Sequence, residues 1–358
     1  MVIKMLSVSD LKVCRMIDLN KLVRGNVKKL TPYSCARDDF NGKTGIFLDA
    51  NENPYGNLNR YPDPYQKELK SAISKTKGIA EEKIFLGNGS DEIIDLCFRV
   101  FCNPGIDKVL TFTPTYGMYE VSASINDIEV VKIPLNSSFQ IDLRKAESLF
   151  SDNKLKLIFV CSPNNPTANS MNYQDVESII TKFNGIVVID EAYIDFSEKP
   201  SFIRLIDKYS NLILMQTFSK AFGLAGVRVG MAFSTPAIVQ YFNKLKPPYN
   251  ISTINQKAAL GKLGQIEQYK SQVFRIKKER ERLSVILSKM SIVEKVYPSD
   301  ANFLLVKVKN ANYIYNALVN KSIIIRNRSS LIDNCLRITI GKKSENNLLI
   351  SALETITI

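Results

Sequence analysis

The run Ile186-Val187-Val188-Ile189 is wholly apolar and β-branched, and it ends on the acids Asp190-Glu191. A run this short and this apolar reads as a strand buried on both faces, which is the pattern of a parallel sheet covered by helices. Similar runs occupy Lys83–Leu86, Lys108–Phe112, Leu155–Cys161, Leu212–Gln216 and Val227–Phe233. Helical patterns separate several of them. In Ser90–Phe101, the residues Ile93, Ile94, Leu96, Cys97, Val100 and Phe101 fall on one helical face. The rhythm predicts an α/β fold with a mostly parallel central sheet.

Lys246-Pro247-Pro248 interrupts the alternation. A long helical stretch, Ile254 to Met290, follows it, with Gly261 and Gly264 as weak points. The remainder reads as strand (Phe303–Val308), helix (Ala311–Asn320), two strands (Ile323–Arg326 and Leu336–Ile340) and a terminal helix. The expected division is an N-terminal segment (1–60) packing on the small domain, a large domain (61–260) and a smaller α+β domain (261–358) that includes the long linking helix.

The 358 residues are 45% hydrophobic and 23% charged, as in an ordinary globular chain. No apolar run approaches the ~20 residues needed to cross a bilayer. Lys4, Asp10, Lys12, Arg15 and Asp18 break up the N-terminus, which therefore reads as neither signal peptide nor anchor, and the cytoplasm is the expected location. The six cysteines (Cys14, Cys35, Cys97, Cys102, Cys161, Cys335) form no C-x-x-C pair and read as reduced, mostly buried thiols. The chain has no His, which excludes His-based triads, His general bases and His-ligated metals. The net charge of +13 is scattered, and the densest cluster, Lys277–Arg282, is interleaved with Glu, so no nucleic-acid partner is expected.

Five motifs fall at predicted strand ends, where open α/β sheets bind ligands. Gly87-Asn88-Gly89-Ser90-Asp91-Glu92 offers a tight turn, Ser90 as an N-cap, and free N–H groups that suit a phosphate; alone it is an ordinary capped turn. In Pro114-Thr115-Tyr116-Gly117, Tyr116 stacks on a flat ring or simply packs. Ser162-Pro163-Asn164-Asn165-Pro166-Thr167 holds an amide in a rigid loop, or is a plain turn. Asp190, at the edge of the core, needs a partner; capping and metal binding are the alternatives. Finally, Lys220 lies in the apolar, Gly-rich stretch Thr217–Arg228 with Ser219 beside it, where a surface lysine is the ordinary reading.

A buried lysine, a carboxylate at a strand end, an aimed Asn and Tyr, and a phosphate cradle are together what pyridoxal phosphate requires. Here the chain resembles the class I/II aminotransferases of fold type I, from Leu30-Thr31-Pro32-Tyr33 to Cys335-Leu336-Arg337-Ile338-Thr339. Further matching stretches are Asp49–Pro54, Arg60-Tyr61-Pro62 and Ser219–Arg228. The resemblance implies that Lys220 is the Schiff-base lysine and proton carrier, and that Asp190 pairs with the pyridinium. It implies that Tyr193 and Asn165 bond the ring oxygen, and that Tyr116 stacks on the ring. Gly89, Ser90, Asp91, Ser219 and Arg228 would surround the phosphate, joined by Tyr61 from the other subunit of a homodimer. Tyr33, Asn165, Arg326 and Arg337 would line the substrate end.

Within the family the resemblance is to the branch that exchanges an amino group between histidinol phosphate and glutamate or 2-oxoglutarate in histidine synthesis. An aromatic aminotransferase and a threonine-phosphate decarboxylase are alternatives that share the cofactor. A regulator built on this fold would need a helix-turn-helix domain, and the roughly 30 residues before Tyr33 are too few for one. Two departures stand out. Ala168 replaces the family's usual Gly, at a cost of up to ~1–2 kcal/mol if the position needs positive φ. The first 15 residues precede the usual start, which makes Met16 a candidate initiator.

Overall fold

The structure, a computed structural model, describes residues 17–34 and 45–357. Cys14, Cys35 and Met16 lie outside the described residues. Two short helices, α1 (Leu19–Leu22) and α2 (Gly25–Lys29), lead to α3 (Lys67–Lys77). The alternating region then runs β1 (Ile84–Asn88), α4 (Gly89–Phe101), β2 (Lys108–Thr113), α5 (Met118–Ile125), β3 (Glu129–Pro134), α6 (Leu143–Glu147) and β4 (Leu155–Cys161). It continues with α7 (Tyr173–Lys182), β5 (Ile186–Asp190), β6 (Leu212–Thr217), β7 (Val229–Phe233) and α8 (Pro236–Leu245). The last third holds α9 (Thr253–Leu263), α10 (Ile266–Leu287), β8 (Val293–Val296), β9 (Phe303–Val308), α11 (Ala311–Asn320), β10 (Arg326–Asn327), β11 (Cys335–Thr339) and α12 (Lys343–Glu354).

The large sheet has the order β1-β7-β6-β5-β4-β2-β3. Strands β3, β2, β4, β5 and β6 pair in parallel, and β7 is antiparallel to both of its neighbours. A parallel return needs a crossover of about a dozen residues or more, usually helical; the loop from Phe218 to Arg228 is too short and irregular to supply one. Alternate residues of the buried strands feed opposite faces. Ile158, Val160, Val187, Ile189 and Leu214 join α3 and α7 on one side. Leu157, Phe159, Val188, Ile213 and Met215 join α4, α5 and α8 on the other. Each fully buried Leu, Ile or Phe contributes roughly 1.5–3 kcal/mol. The smaller sheet, β10-β11-β9-β8, packs on α10, α11 and α12 around a third apolar cluster.

The structure departs from the sequence reading at several places. The N-terminal helices pack on the large sheet, not on the small domain: Val23 and Val27 are buried in the cluster of α4, and the Arg24 N–H donates to the Val100 carbonyl at 2.9 Å. Val23 and Val27 are apolar positions of these helices, and the cluster formed by α4, α5 and α8 buries them. The long stretch after Ser252 is two helices, broken at Gly264-Gln265. Strand β7 begins at Val229 because Arg228 holds a left-handed conformation (φ 55°, ψ 55°). Of Ile323–Arg326, only Arg326 is in a strand. The half-polar edge strands β3 and β8 lack the apolar runs that mark a buried strand.

Ala168 adopts φ 69° and is fully buried. Its N–H donates to the Asn164 carbonyl, and its own carbonyl accepts from the Asp300 N–H, both at 2.8 Å. These bonds hold a conformation that costs an L-residue ~1–2 kcal/mol. Glycine removes that strain but gives up a methyl worth about 0.8 kcal/mol and adds about 0.5–1 kcal/mol of chain entropy to be lost on folding. The contributions nearly cancel. In urea unfolding, Ala168→Gly is expected within about 1 kcal/mol of the parent and Ala168→Val at least about 2 kcal/mol below it. A valine variant as stable as the parent would show that no left-handed conformation is required here.

Candidate active site

The carboxyl ends of β4, β5 and β6, the start of α4 and the arginines near β10 and β11 enclose a cavity of about 260 Å³. At one end, α4 begins at Gly89 with Asn88 as a cap residue that makes no side-chain cap bond. Ser90, expected as the N-cap, lies inside the first turn instead, because the backbone already turns at Gly89 (φ 74°). A Cβ on Gly89 would sit 2.5 Å from Arg228 Nη2 and would push that guanidinium aside, and the left-handed φ of 74° favours glycine here in its own right. Arg228 Nη2 lies 3.4 Å from Asp91 Oδ2, and the Gly89 N–H donates to the Arg228 carbonyl at 2.9 Å. Ser219 closes this end. Uncapped N–H groups, two hydroxyls and an arginine form a cradle for an anion.

Asp190 lies across the cavity, 4% exposed. Its Oδ2 accepts from the Tyr119 hydroxyl at 2.7 Å and its Oδ1 from the Ala192 N–H at 3.0 Å. Burial pushes its pKa up, opposed by these two bonds and by the Lys220 charge. Among the described residues no group of three or more Cys, Asp and Glu side chains could hold a metal here. Lys220, expected to be buried, is exposed as a residue although its side chain lines the cavity. It springs from an open loop, and its Nζ stands 5.6 Å from the centroid of the Tyr193 ring. Partial desolvation, then repulsion from Arg337, lowers its pKa. Tyr116 donates its hydroxyl to Asp91 Oδ1 at 3.2 Å.

Asn165 is 6% exposed, and its Oδ1 accepts from Arg337 Nη1 at 2.5 Å. That contact turns the donating end of the amide away from Arg337. Arg337 also lies over the Phe303 ring at 5.3 Å, while Tyr193 meets the same ring edge-on at 5.2 Å. Arg326 pairs with Arg337 across the β10–β11 ladder, and both line the cavity. The sequence reading missed a third arginine there, Arg328, whose buried Nε has no hydrogen-bond partner. The period of two along a strand, which sets residues 326 and 328 on one face, was the available signal. Tyr119 was missed too, since nothing in its local sequence points toward Asp190.

Tyr33 is not brought here, and Tyr61, expected to act at the other subunit's site, lies away from this cavity. Tyr33 is 73% exposed, on a stretch after α2 in which Leu30 to Ser34 are all exposed, and no described residue packs it toward the cavity. Tyr61 stacks on Tyr249 (4.4 Å between centroids, 12° between planes) and lines a separate cleft with Glu52, Arg60 and Ile254.

A family model for aminotransferase class I and II matches residues 46–353, and the chain belongs to that family. It is 52% identical over 342 residues to the histidinol-phosphate aminotransferase of Christiangramia forsetii, covering 94% of this chain and 97% of the relative. The crystal structure of the histidinol-phosphate aminotransferase from Clostridium acetobutylicum matches with a TM-score of 0.76 at 28% identity, over 83% of this chain and 90% of that one. The Sinorhizobium meliloti histidinol-phosphate aminotransferase, solved in complex with pyridoxal-5'-phosphate, matches with a TM-score of 0.75 at 25% identity, over 96% and 98%. The fold is type I.

Glu191, next to Asp190, is also buried and accepts from Ser201 Oγ (2.6 Å), the Phe202 N–H (2.7 Å) and Gln216 Nε2 (2.9 Å). Burial outweighs these donors and raises its pKa to about 7. The unfolded chain releases this proton near pH 4.5, so above that pH the folded state holds the extra proton. Stability from this group is therefore full below pH 4.5 and falls between there and about pH 7, by roughly 1.4 kcal/mol per pH unit at most. Urea unfolding across that range is expected to show the decline, and Glu191→Gln to flatten it. An equal slope in both proteins would place the titration elsewhere.

Proposed function

We propose that the chain uses pyridoxal phosphate to move an amino group between histidinol phosphate, or its keto form imidazole acetol phosphate, and glutamate or 2-oxoglutarate. The observation that carries this reading is one cavity holding an anion cradle, a buried carboxylate, a lysine and three arginines. The residues present fit the cofactor. The cradle at Gly89, Ser90, Asp91, Ser219 and Arg228 would hold its phosphate, and a Cβ at position 89 would fill the space the guanidinium uses. Asp190 would hold the protonated ring nitrogen, Tyr116 would lie against the ring, and Asn165 and Tyr193 would donate to the ring oxygen. When bound, pyridoxal phosphate supplies an aldehyde that condenses with amines and a ring that withdraws electrons from the carbon losing its proton.

Lys220 would supply the amine that anchors the cofactor, and a pKa lowered by desolvation and by Arg337 would suit it to take a proton at the substrate carbon and return it. Arg326, Arg328 and Arg337 face the substrate. Histidinol phosphate carries a phosphate and glutamate a carboxylate, so one site must accept both anions in turn. The planar guanidinium fork pairs bidentately with either. Arg337 would meet the glutamate carboxylate, and the three together would hold the substrate phosphate.

A homodimer fits the exposed apolar residues Leu58 and Ile254, which line the cleft holding Tyr61, and the exposed Ile46, Leu48 and Tyr55 in the chain segment that leads to it. In that dimer Tyr61 would reach the partner's cofactor phosphate. The buried free thiols Cys97, Cys102, Cys161 and Cys335 suit the cytoplasm.

The reading is tested by titrating the purified yellow protein with histidinol phosphate, histidinol, tyrosine and threonine phosphate. Histidinol phosphate is expected to discharge the visible cofactor band, and histidinol to leave it. Lys220→Ala should lack that band and turnover. Discharge by tyrosine and histidinol alike would favour an aromatic aminotransferase, and carbon dioxide release from threonine phosphate a decarboxylase. For the dimer, Tyr61→Phe chains are mixed with Lys220→Ala chains. The mixed dimer contains one site with both residues intact, and that site should regain near-normal cofactor affinity. A monomer, or no gain on mixing, would refute the shared site.

A further inference from the structure

Tyr119 has no part in the roles given above, yet it makes the shorter of the two hydrogen bonds to Asp190 described here. It sits in the first turn of α5 and is fully buried. Its ring stacks on Phe159 of β4 (4.7 Å, 17°) and meets Tyr116 edge-on (5.6 Å, 87°). Phenylalanine would fill the same aromatic slot. The hydroxyl is therefore not required for packing, and a hydroxyl buried there costs free energy unless it is bonded. Its partner is Asp190 Oδ2, at 2.7 Å.

We propose that Tyr119 is a positioning residue for Asp190: its hydroxyl fixes the orientation and the charge of the carboxylate that meets the cofactor's ring nitrogen. The Tyr119 hydroxyl and the Ala192 N–H each occupy one carboxylate oxygen. A carboxylate has about four acceptor sites, so two remain for an incoming cation. The other titratable groups facing Asp190 are Lys220 on the loop after β6, Asp91 on α4, Cys161 on β4, Tyr116 before α5 and Tyr193 after β5. Lys220 is the one cation among these, and it lies on a loop open to solvent. The buried neutral donor from α5 thus supports the ionised form whatever the lysine's protonation state.

This inference rests on the cofactor reading above. Its test is pyridoxal phosphate affinity, by equilibrium dialysis, for the parent, Tyr119→Phe, Asp190→Asn and the double variant. Circular dichroism confirms that each is folded. A hydrogen bond to a charged group predicts a loss of roughly tenfold or more for Tyr119→Phe alone. In the Asp190→Asn background the second substitution should change affinity less than about twofold, because there is no charge left to support. The deficit of Tyr119→Phe should also widen as pH falls, since Asp190 without its donor takes up a proton at higher pH than in the parent. A packing role predicts an equal loss in both backgrounds, or a pH-independent one, and either result overturns the inference. Unchanged affinity in Tyr119→Phe overturns it alone. Absence of binding by the parent overturns the cofactor reading and this inference with it. If Tyr119→Phe fails to fold, the same dialysis on the more conservative 3-fluorotyrosine-substituted protein, whose hydroxyl is more acidic, must show a changed pH dependence or the inference fails.

Discussion

The approach of Gly230 on β7 to the first residues of α4 is the contact on which the cavity depends. A Cβ at position 230 would lie 2.6 Å from the Gly89 carbonyl carbon and the Ser90 nitrogen, so no other residue fits without moving backbone. The register pairs Gly230 with Gly87 on β1 and with Thr217 on β6. One antiparallel strand therefore locks the start of α4, the end of β6 and the loop carrying Lys220 into one frame. Arg228, two residues before Gly230, is delivered to Gly89 by the same geometry. Close backbone packing of this kind does not yield by rotamer change, which gives the anion cradle its rigidity.

The charges of the cavity are divided by burial. Asp190 ends the strand β5, Glu191 follows it, and both are buried, but they are bonded differently: Asp190 faces the cavity, and Glu191 is sealed by Ser201, Phe202 and Gln216. The first is supported as an anion by donors and a nearby lysine; the second is held largely protonated up to about pH 7. Opposite them, Arg326, Arg328 and Arg337 converge without a carboxylate partner among the cavity-lining residues nearest them. Like charges gathered this way repel one another, and an anionic substrate relieves that repulsion.

Much of the fold was legible because buried parallel strands are continuous apolar runs. β4 and β5 lie where the runs of residues 155–161 and 186–190 lie, and α4 lies under the stripe of residues 90–101. The residues that gather at the anion cradle and Asp190 were legible as a set because each follows such a strand or opens the helix after it. Legibility failed where the signal is spread over distant segments. Tyr119 and Asp190 are far apart in sequence, and neither local pattern mentions the other. Arg328 lay outside the short apolar run that drew attention to Arg326. The N-terminal helices carry few apolar residues, and their docking on α4 is set by a surface that exists only once α4 is in place.

By itself, the sequence determined the class of fold, the absence of histidine chemistry and the order of the motifs at the strand ends. These follow from local periodicity and residue type, which need no partner to be read. The tertiary structure alone decided the antiparallel direction of β7, the left-handed backbone at Ala168 and Arg228, the partner of Asp190 and the convergence of three arginines. Each of these depends on which segments lie side by side, and that is settled by packing the whole chain.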